Sequence, residues 1–115
     1  MHEASLAGGV LQLVEDAARR EGFARLLALR LEVGQLSGVD ARALRYALEG
    51  LAPGTLLQDA QLHIEQPVGQ AWCMHCAKTM ELAQRGQPCP GCGGYQLQPC
   101  GGMELRVLDM RVSDD

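Results

Sequence analysis

Residues 73–92 read CMHCAKTMELAQRGQPCPGC. Cys73 and Cys76 form one Cys-x-x-Cys pair, Cys89 and Cys92 a second, and twelve residues separate the pairs. A two-residue gap lets one tight turn aim both thiolates at a single ion, and two such turns complete a tetrahedral four-sulfur site. Gly91, Gly93 and Gly94 suit the turns around the second pair. A module of this size buries too little apolar surface to fold unaided, so a structural metal supplies what the core lacks. Zinc fits best, and a closed four-thiolate site leaves no open position for catalysis. Iron in a rubredoxin-like site is the competing reading: CPGCG suits it, but the first pair lacks a following glycine and aromatic cover is sparse. Cys100 stands outside the pairs as a spare thiol, and His75, between two ligands, reads as a solvent-facing residue of the turn.

On both sides of this module the pattern changes. Gln66-Pro67 and Gln98-Pro99 mark places where the chain leaves one structure and returns to it. Before the module, Leu6, Val10, Leu13, Val14 and Ala17 recur at helical spacing, and Gly22 is a natural stop. Gly8 and Gly9 weaken the first turns by about 1 kcal/mol each relative to alanine, which predicts fraying or close packing there. ARLLALRLEVG then alternates, placing Leu27, Leu29, Leu31 and Val33 on one side of a half-buried strand. Helical spacing returns through Leu44, Ala47, Leu48 and Leu51 and ends at Pro53-Gly54. In AQLHIEQ, Leu62 and Ile64 oppose His63 and Glu65. After the module, MELRVLDMRV is a strand whose phase slips between Val107 and Leu108, which predicts a bulge or bend. The expected fold is α+β: two helices on a three-stranded sheet, interrupted by an inserted four-cysteine, zinc-ribbon-like module. Residues 1–66 with 103–115 would form the first domain and 67–102 the second.

Composition narrows the function. A net charge of −4, with one Trp, two Tyr and one Phe, argues against a nucleic-acid partner, which favours basic stripes and stacking platforms. No stretch approaches the roughly 20 apolar residues of a membrane span. The start lacks a basic segment followed by an apolar run, so the expected compartment is the cytoplasm, where five cysteines are better read as ligands than as disulfides. No serine–histidine–acid set, phosphate loop or open metal site stands out, so the chain is not read as an enzyme.

The chain begins MHE. With His2 in second position, the α-amine, the amide nitrogen of His2 and its Nδ1 can close two fused chelate rings. Three nitrogens in a plane suit Ni(II) or Cu(II). A fourth donor could be Glu3, His63, His75 or a group from a partner, and Glu3 is as easily a carboxylate favouring a helix N-terminus. Histidine is large enough to disfavour methionine removal, so Met1 is expected to stay.

MHEASLAGGVLQLVEDAARREG, LRLEVGQLSGV, the two Cys-x-x-Cys pairs and the closing GGMELRVLDMRV together resemble the HypA/HybF family of hydrogenase-maturation nickel metallochaperones. The resemblance spans essentially the whole chain. It implies that Met1, His2 and Glu3 carry a nickel-binding signature and that Cys73, Cys76, Cys89 and Cys92 hold structural Zn(II). It further implies a transferable Ni(II), passed with an accessory GTPase to the large-subunit precursor of a [NiFe] hydrogenase. Neither nucleic acid nor membrane is among the implied partners, and the expected state is a monomer or weak homodimer. No catalytic residue is implied.

Overall fold

The computed structural model describes residues 2–115. Its elements follow in the order α1 (His2–Glu21), β1 (Arg25–Val33), α2 (Ala41–Leu51), β2 (Gln61–Glu65), β3 (Gly69–Cys73), β4 (Lys78–Leu82), β5 (Leu97–Gly101) and β6 (Leu105–Ser113). Two three-stranded sheets form, ordered β2-β1-β6 and β4-β3-β5. The chain divides into two compact units. The first takes the chain up to Leu31, Asp40–Ile64 and Val107–Asp115. The second takes Glu32–Val39 and Glu65–Arg106, so it contains the cysteine module together with its flanks and a segment from far upstream.

In the first unit α1 packs on α2. Ala7, Val14 and Ala17 of α1 and Ala41, Leu44 and Leu48 of α2 are buried, along with Leu26, Leu29 and Leu31 of β1. The α1 stripe is narrower than expected: Leu13 is 46% exposed, since it lies on the far shoulder of the face that Ala7, Val14 and Ala17 define. Leu51, in the last turn of α2, is also exposed. Gly22 ends α1 with φ +80°, its N–H returning to the Ala18 carbonyl at 2.8 Å. This is the left-handed cap that glycine adopts most cheaply. Gly8 and Gly9 lie within the helix, and a Cβ on either would meet nothing within 4 Å, so close packing does not explain them.

The strand phases differ in detail from strict alternation. Leu26, not Leu27, is buried in β1, because the alternation slips across Leu27 and Ala28 before Leu29 restores it. In β6 the expected slip is present: Val107 and Leu108 are consecutive half-buried residues.

In the second unit β3 is central and pairs antiparallel with β4, from Gly69↔Leu82 to Cys73↔Lys78. It pairs with β5 on its other side, with a register shift between Gln70 and Ala71. The core beneath is small: Leu36, Ala71 and Leu82, with Leu97 and Met103 against them. Leu36 arrives from the loop after β1. The Leu36 N–H donates to the Gly102 carbonyl (2.7 Å), Gly34 N–H to that of Glu104 (2.8 Å), and the Arg85 Nε–H to the Leu36 carbonyl (2.7 Å). Only glycine permits this approach, since a Cβ on Gly34 would lie 2.2 Å from the Gly102 carbonyl oxygen.

Candidate metal centre

Each cysteine pair sits in its own turn, and in both turns the residue after the pair bonds back to the carbonyl of the first cysteine. Cys73 ends β3 and is fully buried; the Ala77 N–H donates to its carbonyl at 2.8 Å, and the Cys76 N–H points at its Sγ (3.4 Å). In the second turn the Gly93 N–H donates to the Cys89 carbonyl at 2.8 Å, and the Gly91 N–H points at the Cys89 Sγ (3.3 Å). Ala77 and Gly93, the residues after each pair, both hold positive φ, at 55° and 74°. The Met74 N–H bonds to the Gln96 carbonyl (2.9 Å), which ties the first turn to the start of β5.

These turns bring all four Sγ atoms within 4.8 Å of one another. Cys73 and Cys92 are 3.8 Å apart and Cys76 and Cys89 are 3.9 Å apart. A tetrahedron of sulfurs bound at about 2.3 Å has edges of about 3.8 Å, so the donor set fits a four-coordinate ion. Cys73 and Cys89 are buried, Cys76 is half-buried and Cys92 is exposed. A Cβ on Gly91 would lie 3.3 Å from the Cys76 Sγ, which leaves no room for a side chain beside the sulfurs.

The electrostatics of the cluster favour a cation. Backbone hydrogen bonding at Cys92, and then at Gly91, brings the Cys89 thiol down to about 7. Burial and the neighbouring thiols push Cys76 up to about 12. Four sulfurs so close cannot all carry negative charge together unless a cation at their centre compensates it.

Among the described residues these cysteines are the single group of three or more His, Cys, Asp or Glu able to hold a metal. His75 stays outside it, though it lines an open depression with Cys92, Gly94, Tyr95 and Gln96. Cys100 is exposed and free.

The amino-terminal residues singled out in the sequence are arranged differently. Met1 lies outside the described residues. His2 opens α1 with its side chain 60% exposed, whereas the Glu3 side chain is 12% exposed. Glu3 Oε2 lies 3.8 Å from His2 Nε2 and accepts a hydrogen bond from the Asp40 N–H at 3.2 Å. Asp40 is the N-cap of α2, and its Oδ1 accepts from the N–H groups of Arg42 (2.9 Å) and Ala43 (3.2 Å). Glu3 therefore fastens the start of α1 to the start of α2. Sequence reasoning missed this link, because thirty-seven residues separate Glu3 from Asp40. The SGVD stretch before α2 was its only local sign. His63 is exposed on β2.

Comparison with known proteins agrees with this architecture. Residues 1–112 match the family model described as hydrogenase/urease nickel incorporation, metallochaperone, hypA. The hydrogenase maturation factor HypA of Polaromonas naphthalenivorans is 67% identical over 115 residues, covering all of both chains. That of Cupriavidus necator is 64% identical over 114 residues, covering 99% of this chain and 96% of its own. The solution structure of the Ni metallochaperone HypA from Helicobacter pylori superposes with a TM-score of 0.68 over the whole of both chains at 21% identity, which shows the shared fold. The chain belongs to the HypA family of nickel-incorporation metallochaperones.

Proposed function

We propose that this chain carries Ni(II) as cargo at its amino terminus and delivers it for [NiFe] hydrogenase maturation, while Zn(II) at Cys73, Cys76, Cys89 and Cys92 braces the second unit. The observation that carries the reading is the contrast between two donor sets. Four sulfurs are enclosed by two matched turns, whereas an exposed imidazole stands at the chain's beginning on a helix tethered by Glu3. A closed thiolate cage retains its ion, and zinc there supplies cross-linking without chemistry. An exposed terminal site can release one.

In this reading Met1 contributes its α-amine, His2 its amide nitrogen and Nδ1, and Glu3 completes the signature. The Glu3 bond to Asp40 supports a positioning role, because it holds the donors at the N-cap of α2. Amine and imidazole bind metal only after losing their protons, so nickel affinity falls between about pH 7.5 and pH 6. Copper would bind the same nitrogens more tightly, so docking and metal supply must set selectivity. The accepting partners in this reading are an accessory GTPase and the hydrogenase large-subunit precursor, in the cytoplasm, and the chain itself catalyses no reaction.

Metal analysis and nickel titration of untagged protein test the reading. His2→Ala should abolish nickel uptake and leave about one zinc per chain. Acetylating the α-amine should do the same. Undiminished nickel binding in either protein would overturn the terminal site. Zinc lost along with nickel in His2→Ala would overturn the separation of the two.

A further inference from the structure

The four sulfurs of the cage are unequally covered. Cys73 and Cys89 are buried and Cys76 is half-buried, but Cys92 is exposed. On the side of Cys76 and Cys89 the Met80 methyl fills the space that a Cβ on Gly91 would need, a point 3.3 Å from the Cys76 Sγ and 3.7 Å from the Cys89 Sγ. On the side of Cys92 stands Gly94. A Cβ there would lie 3.4 Å from the Cys92 Sγ, an ordinary contact, and no positive φ reserves the position for glycine. The absent side chain leaves that sulfur beside a depression of about 370 Å³, lined by His75, Cys92, Gly94, Tyr95 and Gln96. Tyr95 is 70% exposed and leaves the depression open. A bound ion keeps all four cysteines as thiolates, so access ranks their reactivity.

We propose that Cys92 is a modification site, the cage thiolate that small electrophiles reach first, and that peroxides open the cage through it. The Cys92 sulfur attacks one oxygen of hydrogen peroxide: the O–O bond breaks, an S–O bond forms and hydroxide leaves, giving a sulfenic acid. The Cys73 Sγ lies 3.8 Å from the Cys92 Sγ. It attacks the Cys92 sulfur and displaces a second hydroxide, so that an S–S bond replaces the S–O bond. Two thiolates have given up two electrons, one peroxide has taken them, and both hydroxides pass to solvent. Cys76 and Cys89 alone fall short of the four ligands a structural zinc requires, so the cage releases its ion. The disulfide then ties together the two turns that the ion had tied, and a dithiol reductant reverses the step. The proposal rests on the zinc-filled cage proposed above and is independent of the nickel site.

Full-length protein carrying Cys100→Ser, which removes the other exposed thiol, provides the test after loading with Zn(II) and measurement of its metal content. Substoichiometric iodoacetamide should alkylate Cys92 ahead of the other three, read by peptide mass spectrometry. Hydrogen peroxide should release about one zinc per peroxide consumed to a chromogenic chelator, with the Cys73–Cys92 disulfide as the main product. Gly94→Ala, whose methyl would stand against the Cys92 Sγ, should slow both reactions at least about threefold at unchanged zinc content. Alkylation falling first on Cys73, Cys76 or Cys89 overturns the proposal. So does a main disulfide other than Cys73–Cys92, or Gly94→Ala reacting at the parent rate. A chain that takes up no zinc fails earlier, at the cage itself, and sinks the zinc reading together with this one.

Discussion

Ala77 and Gly93 occupy equivalent places after the two cysteine pairs and make equivalent hydrogen bonds, to the carbonyls of Cys73 and Cys89. Both need positive φ, yet only one is glycine. A Cβ in the left-handed region costs roughly 1–2 kcal/mol, so Ala77 holds a strain that Gly93 does not. Glycine regains some of that through the greater freedom of the unfolded chain. Ala77→Gly should therefore stabilise the metal-loaded protein by about 1 kcal/mol, and Gly93→Ala should destabilise it by about as much. Urea unfolding of the three proteins measures both, and changes of the same sign would refute the equivalence of the turns. Both turns were marked in the sequence by their Cys-x-x-Cys pairs, but only CPGCGG pointed to a left-handed residue, because alanine gives no hint of its backbone sign. Glu3 is a similar case: its acidic character at a helix start was legible, its bond to Asp40 was not. Local chemistry can be read from a sequence, but a partner thirty-seven residues away cannot.

Among the elements, α1, α2, β1, β2 and β6 were legible because each sets a more buried face against a more exposed one, at a helical period or at an alternation broken once in β1 and once in β6. β3, β4 and β5 were not separately anticipated. Each is five residues long, and Gly, Gln, Pro and Thr dilute their alternation. The metal turns, rather than a broad apolar face, hold them in place. The phase slip in β6 was visible as two adjacent apolar residues, whereas the slip in β1 was hidden in a run where almost every residue is apolar. The largest omission was Leu36, which follows a strand and reads as part of a turn but is 1% exposed in the core of the second unit. Leu36→Ala should cost about 2–5 kcal/mol, since the tightly packed Ala71 and Leu82 cannot close the cavity. That loss should appear as faster release of the bound metal to a chelator, with the helix signal of the first unit unchanged. Metal release at the parent rate would show that Leu36 contributes nothing to the cage.

At the level of the whole molecule, the interrupted pattern, in which one domain opens and a cysteine module enters before a last strand returns, was legible in the paired Gln-Pro steps and the shift in composition. The participation of Glu32–Val39 in the second unit was not. The two units have different stabilising forces and should therefore respond differently to acid. Protons compete with a metal for thiolates, so the ion in the second unit is released as pH falls, and only Leu36, Ala71 and Leu82 with two flanking side chains remain as core. The first unit has a broad buried interior and an Asp109 carboxyl held below its usual range by the Arg30 hydrogen bond. A group depressed in the folded state stabilises fully above its unfolded pKa, about 3.9 for aspartate, and loses that contribution only as pH falls through the lower folded value. Between metal release and about pH 4 the first unit should therefore persist alone. Amide hydrogen exchange at about pH 5 with a chelator present should show protection lost across residues 69–101 but retained at Val14, Leu29 and Leu44. Protection vanishing from both regions together would mean that the metal sustains the entire chain and that the buried interior of the first unit does not stand by itself.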